Sequence, residues 1–226
     1  MRINELTIYT SQLEKQVEFY SSILKLILTE QSKERASFQM GSSILTFESR
    51  DEATPYHFAI NIPSNKEFEA LAWLKERVNI LSLEETEIHD FNSWNAKAVY
   101  FYDPDNNIVE FISRRNLQNE SALPFDSSQL LCISEIGISI LDIEPIFKQL
   151  KALSGVEHFS GDVERFLAIG DDHGLFIIVN KNLKDWYPTG DEAHSSDFKL
   201  DFSNRGNTCH ILFENGELLE SSEPNS

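Results

Sequence analysis

The sequence predicts an α+β fold assembled from copies of one strand–helix–strands unit. Three observations predict it. Three segments open with an ionisable residue followed by alternating apolar positions, each is followed by a stretch of helical periodicity, and the ends of the first two units align residue by residue. The opening segments are Glu5-Leu-Thr-Ile-Tyr, His57-Phe-Ala-Ile-Asn and Glu135-Ile-Gly-Ile-Ser.

Each opening segment reads as a strand whose side chains alternate between two faces. Leu6/Ile8, Phe58/Ile60/Ile62 and Ile136/Ile138/Ile140 form the expected buried face, and Glu5/Thr7/Tyr9, His57/Ala59/Asn61 and Glu135/Gly137/Ser139 the other. The second face is small or polar, which suits a sheet lining a cavity or one open to solvent.

A helix follows each strand. Ser11-x-x-Glu14 and Ser64-x-x-Glu67 read as capping boxes and Asp142 as a third cap. Apolar stripes run along Leu13, Val17, Tyr20 and Leu24, along Phe68, Leu71, Leu74 and Val78, and along Ile146, Leu150 and Leu153. About three strands then complete each unit, giving repeats at 1–50, 55–115 and 130–181. Gly41-Ser-Ser-Ile-Leu-Thr46 aligns with Asp105-Asn-Asn-Ile-Val-Glu110, so Thr46 stands where the second copy has Glu110, and the third copy, ending HGLFIIVN, is apolar there. DFKLDFSN from Asp197, the turn RGN and the return strand TCHILFEN form a truncated fourth copy without a helix. The expected domains are 1–115 and a partial, degenerate second domain at 130–215. A polar linker, 116–129, separates them, and the acidic, serine-rich end, 216–226, is expected to be a flexible tail.

Composition narrows the function classes. With 226 residues, 41% hydrophobic and 25% charged, the chain is long enough for a real core. Thirty-seven acidic against 19 basic residues give a net charge of −18, which repels nucleic acid. No apolar run approaches the roughly 20 residues of a membrane span, and the first residues enter a strand without an apolar leader, so a cytoplasmic protein with no membrane partner is expected. Cys132 and Cys209 are too few for a disulfide or metal framework. His89, His158, His173, His194 and His210 show no metal or catalytic spacing, and no phosphate loop, nucleophile elbow or Ser/His/Asp arrangement occurs.

Glu110 stands out within Tyr100–Ile112, YFYDPDNNIVEFI. A carboxylate flanked by Ile108, Val109, Phe111 and Ile112 pays a large desolvation cost unless it is paired, protonated or bound to a metal.

The stretch YFYDPDNNIVEF, together with the opening INELTIYTSQLEKQVEFYSSIL, resembles the vicinal oxygen chelate superfamily, which includes glyoxalase I, extradiol dioxygenases and bleomycin-resistance proteins. The resemblance covers residues 1–115 well and 130–190 more weakly. It implies paired βαβββ modules, 1–50 with 55–115, forming a cupped mixed sheet with helices outside. It also implies metal ligands at Glu5, His57 and Glu110, a divalent ion (Fe, Mn, Zn or Ni) chelating adjacent oxygens of a small-molecule substrate, and Tyr100 as a candidate proton donor; core packing is the alternative for Tyr100. Three departures are evident: Thr46 lacks the acid glyoxalase-like members place there, Glu5 replaces a dioxygenase histidine, and Asn106 replaces the turn glycine. Dioxygenation, a glyoxalase-like isomerisation or lyase step, and metal-free small-molecule binding of the bleomycin-resistance type all stay open. Glu135 reads as a solvated acid of a degenerate copy, since Leu175 to Val179 offers it no acidic or histidine partner. The C-terminal part is then expected to cover the cup or to build a homodimer contact, and the Trp186-Tyr187-Pro188 loop to close over a neighbouring cavity or pack down.

Overall fold

The computed structural model describes residues 1–220. The first repeat comprises β1 (Arg2–Thr10), α1 (Leu13–Glu18), β2 (Ile27–Gln31), β3 (Arg35–Met40) and β4 (Ser43–Ser49). The second holds β5 (His57–Ile62), α2 (Glu67–Lys75), β6 (Ile80–Leu81), β7 (His89–Phe91), β8 (Ala96–Tyr102) and β9 (Ile108–Arg114). The third has β10 (Cys132–Ile140), α3 (Ile143–Ser154), β11 (His158–Asp162), β12 (Phe166–Asp171) and β13 (Gly174–Asn180). The helix-free fourth has β14 (Phe198–Asn204), β15 (Asn207–Glu214) and β16 (Glu217–Glu220). The fold is therefore α+β. Residues 217–220 of the expected tail form a strand paired with β15, and the remainder of that tail lies outside the described residues. No helix among them is long and apolar enough to cross a membrane.

In the first three repeats the helix carries the chain across so that the closing strand returns parallel to the opening one: β1 beside β4, β5 beside β9, β10 beside β13. Repeats combine by antiparallel pairing of their opening strands, but not in the expected order. β1 pairs with β14 and β5 with β10. A seven-stranded sheet thus runs β16-β15-β14-β1-β4-β3-β2, and a nine-stranded one runs β11-β12-β13-β10-β5-β9-β8-β6, with β7 also paired to β8. Repeats one and two do not share a cup: the first closes with the fourth, and the second with the third. The boundary expected near residue 120 separates neither sheet.

The alternation within the opening strands holds. Leu6, Ile8, Phe58, Ile60, Ile62, Ile136 and Ile138 are fully buried in one hydrophobic cluster that draws on both sheets and all three helices. Removing such side chains from water is the main stabilising term. The helices begin differently from expectation. Gln12 and Lys66 precede α1 and α2 without a side-chain cap, while Asp142 does accept a hydrogen bond from the Glu144 amide. Phe68, placed on the buried stripe by periodicity, is 65% exposed; Ala70 and Leu74 face the core in its place, and the buried Glu67 is held by Arg115. Asn106 adopts φ +61°, the left-handed turn conformation that Asn tolerates in place of Gly.

Candidate metal centre

On the cupped face of the nine-stranded sheet, the start of β5 and the middle of β9 and of β10 each contribute one buried ionisable group. These are His57, Glu110 and Glu135, and one ligand atom from each lies within 4.8 Å of the others. Register explains the convergence. Ala59, two residues past His57, is the β5 neighbour of Glu110 on one side and of Glu135 on the other, and side chains two apart on a strand share a face.

His57 is oriented by its backbone surroundings. Its Nδ1 lies 3.1 Å from the Ile108 carbonyl, which can only accept, so Nδ1 carries the proton and the neutral ring presents a bare Nε2. That nitrogen lies 3.6 Å from Glu110 Oε2 and 3.9 Å from Glu135 Oε2. Burial pushes the imidazole down to about 4, helped by the charge of Lys184. The ring is consequently neutral and free to donate its lone pair at neutral pH.

The two carboxyls differ. Burial, then the charge of Glu135, raises Glu110 well above the usual carboxylate range, while Arg114 and a hydrogen bond from the Tyr100 hydroxyl oppose the shift. Burial also raises Glu135, opposed by Arg114. Arg114, fully buried at the end of β9, donates from Nη2 to Glu135 Oε1 and from Nε to Asn61 Oδ1 at 3.2 Å. Glu135 is tethered through one oxygen, and its other oxygen faces His57.

One imidazole nitrogen and two carboxylate oxygens, converging where a buried acid otherwise has to keep its proton, are a donor set that fits a divalent ion. The carbonyl behind His57 and the arginine behind Glu135 supply the outer support that metal ligands characteristically have.

Tyr100 lies directly opposite Glu110 on β8, and burial followed by the charges of Glu110 and Glu135 raises its hydroxyl well above the ordinary phenol value. Trp186, in the loop between β13 and β14, lies 5.3 Å from the His57 ring, centroid to centroid. It fits because position 137 has no side chain: a Cβ there would lie 2.7 Å from Trp186 Cη2. A cavity of about 360 Å³ opens from His57, Glu110 and Glu135 between Trp94, Phe166, Trp186 and Tyr187, a size suited to a small molecule.

Glu5 is not part of this group. It lies in the other sheet, accepts from Thr46 Oγ1 at 2.7 Å and pairs with Arg35 at 3.0 Å. Its place as third acid falls to Glu135, which was read as solvated but is 2% exposed. Glu135 shares the repeat position of His57, and the pairing of β10 with β5 brings the two together. Arg114 carried no sequence signal. His89, read as incidental, is buried with its ring 5.2 Å from Tyr100 and its Nδ1 2.5 Å from the Tyr187 hydroxyl.

Metallothiol transferase FosB of Staphylococcus haemolyticus is 31% identical over 116 residues, covering 48% of this chain and 80% of that protein. The chain belongs to the vicinal oxygen chelate superfamily. The FosB of Staphylococcus epidermidis is 30% identical over the same shares. Among solved structures, a Bacillus subtilis protein named as a candidate dioxygenase superposes with TM-score 0.60 at 16% identity, over 80% of this chain and 64% of that one. Glyoxalase I from Zea mays gives 0.53 at 14% identity, over 78% and 66%. At these identities the two structures establish the vicinal oxygen chelate fold alone, and this chain spans about two thirds of each. No protein-family model matches the chain.

Proposed function

We propose that the chain is a metal-dependent enzyme of the glyoxalase/dioxygenase type acting on a small molecule, with His57, Glu110 and Glu135 as metal ligands and Tyr100 as proton donor. The observation that carries this reading is the buried convergence of one bare imidazole nitrogen and two carboxylates at the end of an aromatic cavity. A bound divalent ion, Fe, Mn, Zn or Ni, would supply Lewis-acid chemistry toward two adjacent substrate oxygens.

The residues around it have definable roles. Tyr100, kept protonated by burial and its acidic neighbours, holds a proton beside Glu110 for delivery to substrate. Arg114 fixes the Glu135 carboxyl and offsets part of its charge. Trp186 covers His57 and keeps water from that side. The aromatic walls favour a ring substrate, and hence ring-cleaving dioxygenation of an aromatic diol over an isomerase or lyase step on a small aldehyde adduct.

A metal-free binding protein is the second reading, favoured by the Arg114–Glu135 contact, which compensates one carboxylate without any ion. Elemental analysis of untagged protein before and after chelation, alongside Glu110→Gln, separates the two. Near-stoichiometric metal that the variant loses supports the enzyme and directs a screen of catechols for oxygen uptake. Wild type that stays metal-free after Mn, Fe, Ni and Zn are added back, while still binding ring compounds, overturns it.

A further inference from the structure

Two cations on the wall of this cavity have no carboxylate partner among the described residues. In a chain where acids outnumber bases, Arg35, Arg50, Arg114, Arg115 and Lys199 all find carboxylates. Among the described residues none forms an ion pair with Lys184 or Arg165, both of which line the cavity. Arg165 is anchored beside the segment carrying Lys184, because its Nε donates to the Leu183 carbonyl at 3.1 Å. Lys184 is half-buried with its Nζ 5.6 Å over the Phe166 ring, and Phe166 stacks on Trp94 at 6.3 Å. Burial and the Arg165 charge both push Lys184 below the usual lysine range, with Asp185 opposing more weakly. A third donor is also unspent: Trp186 is 6% exposed, and its Nε1 has no acceptor.

Arg165 is exposed and Lys184 half-buried, so water relieves part of their repulsion and an anion bridging them would relieve the rest. A ligand able to use this wall is flat, to lie between Phe166 and Trp186, and carries a planar acceptor group matched to an arginine fork and an ammonium. We propose that the cavity selects a single-ring aromatic substrate bearing a carboxylate, which Lys184 and Arg165 hold at the mouth while the opposite edge of the ring reaches His57, Glu110 and Glu135. Lys184 and Arg165 are thus specificity determinants rather than parts of the metal centre. The inference rests on reading this cavity as the substrate site.

The test compares 3,4-dihydroxybenzoate with its methyl ester, which differ in charge but share the ring diol, by calorimetric titration of the full chain with and without Mn²⁺. The acid is expected to bind at least about tenfold tighter than the ester, the size of one charge-assisted hydrogen bond. Lys184→Gln combined with Arg165→Gln should bring the acid down to the ester while leaving the ester unchanged; Lys184→Arg should keep the preference. Melting temperatures confirm that the variants fold. Equal binding of acid and ester, no binding of the acid, or a preference that survives the double variant overturns the proposal. Because the preference is also read without metal, a chain that prefers the acid but takes up none of Mn, Fe, Ni and Zn refutes the metal-centre reading and leaves this one standing.

Discussion

Arg35 and Ala98 hold the same register position in the two sheets. Arg35 lies opposite Glu48, two residues from the Ser37/Thr46 pair; Ala98 lies opposite Ile112, two residues from the Tyr100/Glu110 pair. In the seven-stranded sheet the guanidinium reaches Glu5, Glu48 and Glu30, so that its cup is closed by internal ion pairs. In the nine-stranded sheet the matching residue is the buried Ala98, which brings no charge to Glu110, and Glu135 is held by Arg114 through one oxygen only.

Ala98→Arg should therefore convert the second cup into the first. The new guanidinium would meet Glu110 and Glu135, and metal uptake should fall to background while far-ultraviolet circular dichroism is preserved. Overpacking is expected to cost about 1–3 kcal/mol in a denaturant melt. Full metal occupancy in this variant would show that the small, uncharged side chain at Ala98 is irrelevant to the site.

The proposed ligand set, with Glu135 in place of Glu5, has a direct consequence. Glu135→Gln should weaken Mn²⁺ binding by about a hundredfold or more, beyond the 10–100-fold typical of outer-support residues. Glu5→Gln should leave it unchanged and lower only stability, through the loss of its Arg35 partner. Equilibrium dialysis of both variants decides the matter, and the reverse pattern would return Glu5 to the site.

Stability of the metal-free protein should depend on pH in two opposite ways. His57 sits at about 4 against an ordinary 6.5. The unfolded chain therefore takes up the extra proton between those values, and stability falls as pH drops through that window. Glu110 is raised, so the folded state keeps a proton that the unfolded carboxyl releases. Stability present in acid is then lost as pH rises from the ordinary carboxylate range through the raised value. Each slope is at most about 1.4 kcal/mol per pH unit. In thermal melts under chelator, Glu110→Gln should reduce the alkaline-side loss, leaving what Glu135 contributes, and should keep the acid-side one. An alkaline limb identical to wild type would assign that proton elsewhere.

Gly137→Ala should displace Trp186. The added methyl would meet the indole at 2.7 and 2.9 Å and the His57 carbonyl at 3.1 Å, and of these only the loop side chain can yield. Red-shifted tryptophan emission and weaker binding of ring compounds are expected, with metal binding retained. Unaltered emission together with unaltered affinity would mean that the indole does not cover the site.

Much of the site was written in the local pattern. The period-two alternation put His57 and Glu135 on the cupped faces, and the apolar neighbours of Glu110 marked it as an acid that needs compensation. Which strands meet was not local. All the opening strands present the same apolar-behind, polar-in-front pattern, so any two can pair along their edges, and chain neighbours are the ordinary default. That default joined Glu5 to His57 and left Glu135 alone. The two capping boxes do not form because the amides near these starts find other acceptors, Gln12 at Thr10 Oγ1 and Ser64 at Asn119 Oδ1, and the cap positions fall one and two residues later, at Gln12 and Lys66. Phe68 turned outward because Glu67 is pinned inside by Arg115.

The order in which repeats pair, outer with outer and inner with inner, also constrains how the chain can be made. As it emerges from the ribosome, β5 can find β10 once the third repeat is out, so the nine-stranded sheet closes over a moderate loop. β1 has to wait with an unpaired edge until Leu200 arrives to meet Leu6. That contact has one of the longest separations a chain of this length permits, and such late, long-range closure is what slows folding and leaves strand edges open to misassociation. The half that holds His57, Glu110 and Glu135 can thus assemble early and wait inside its own sequence, flanked by two ends that complete each other last.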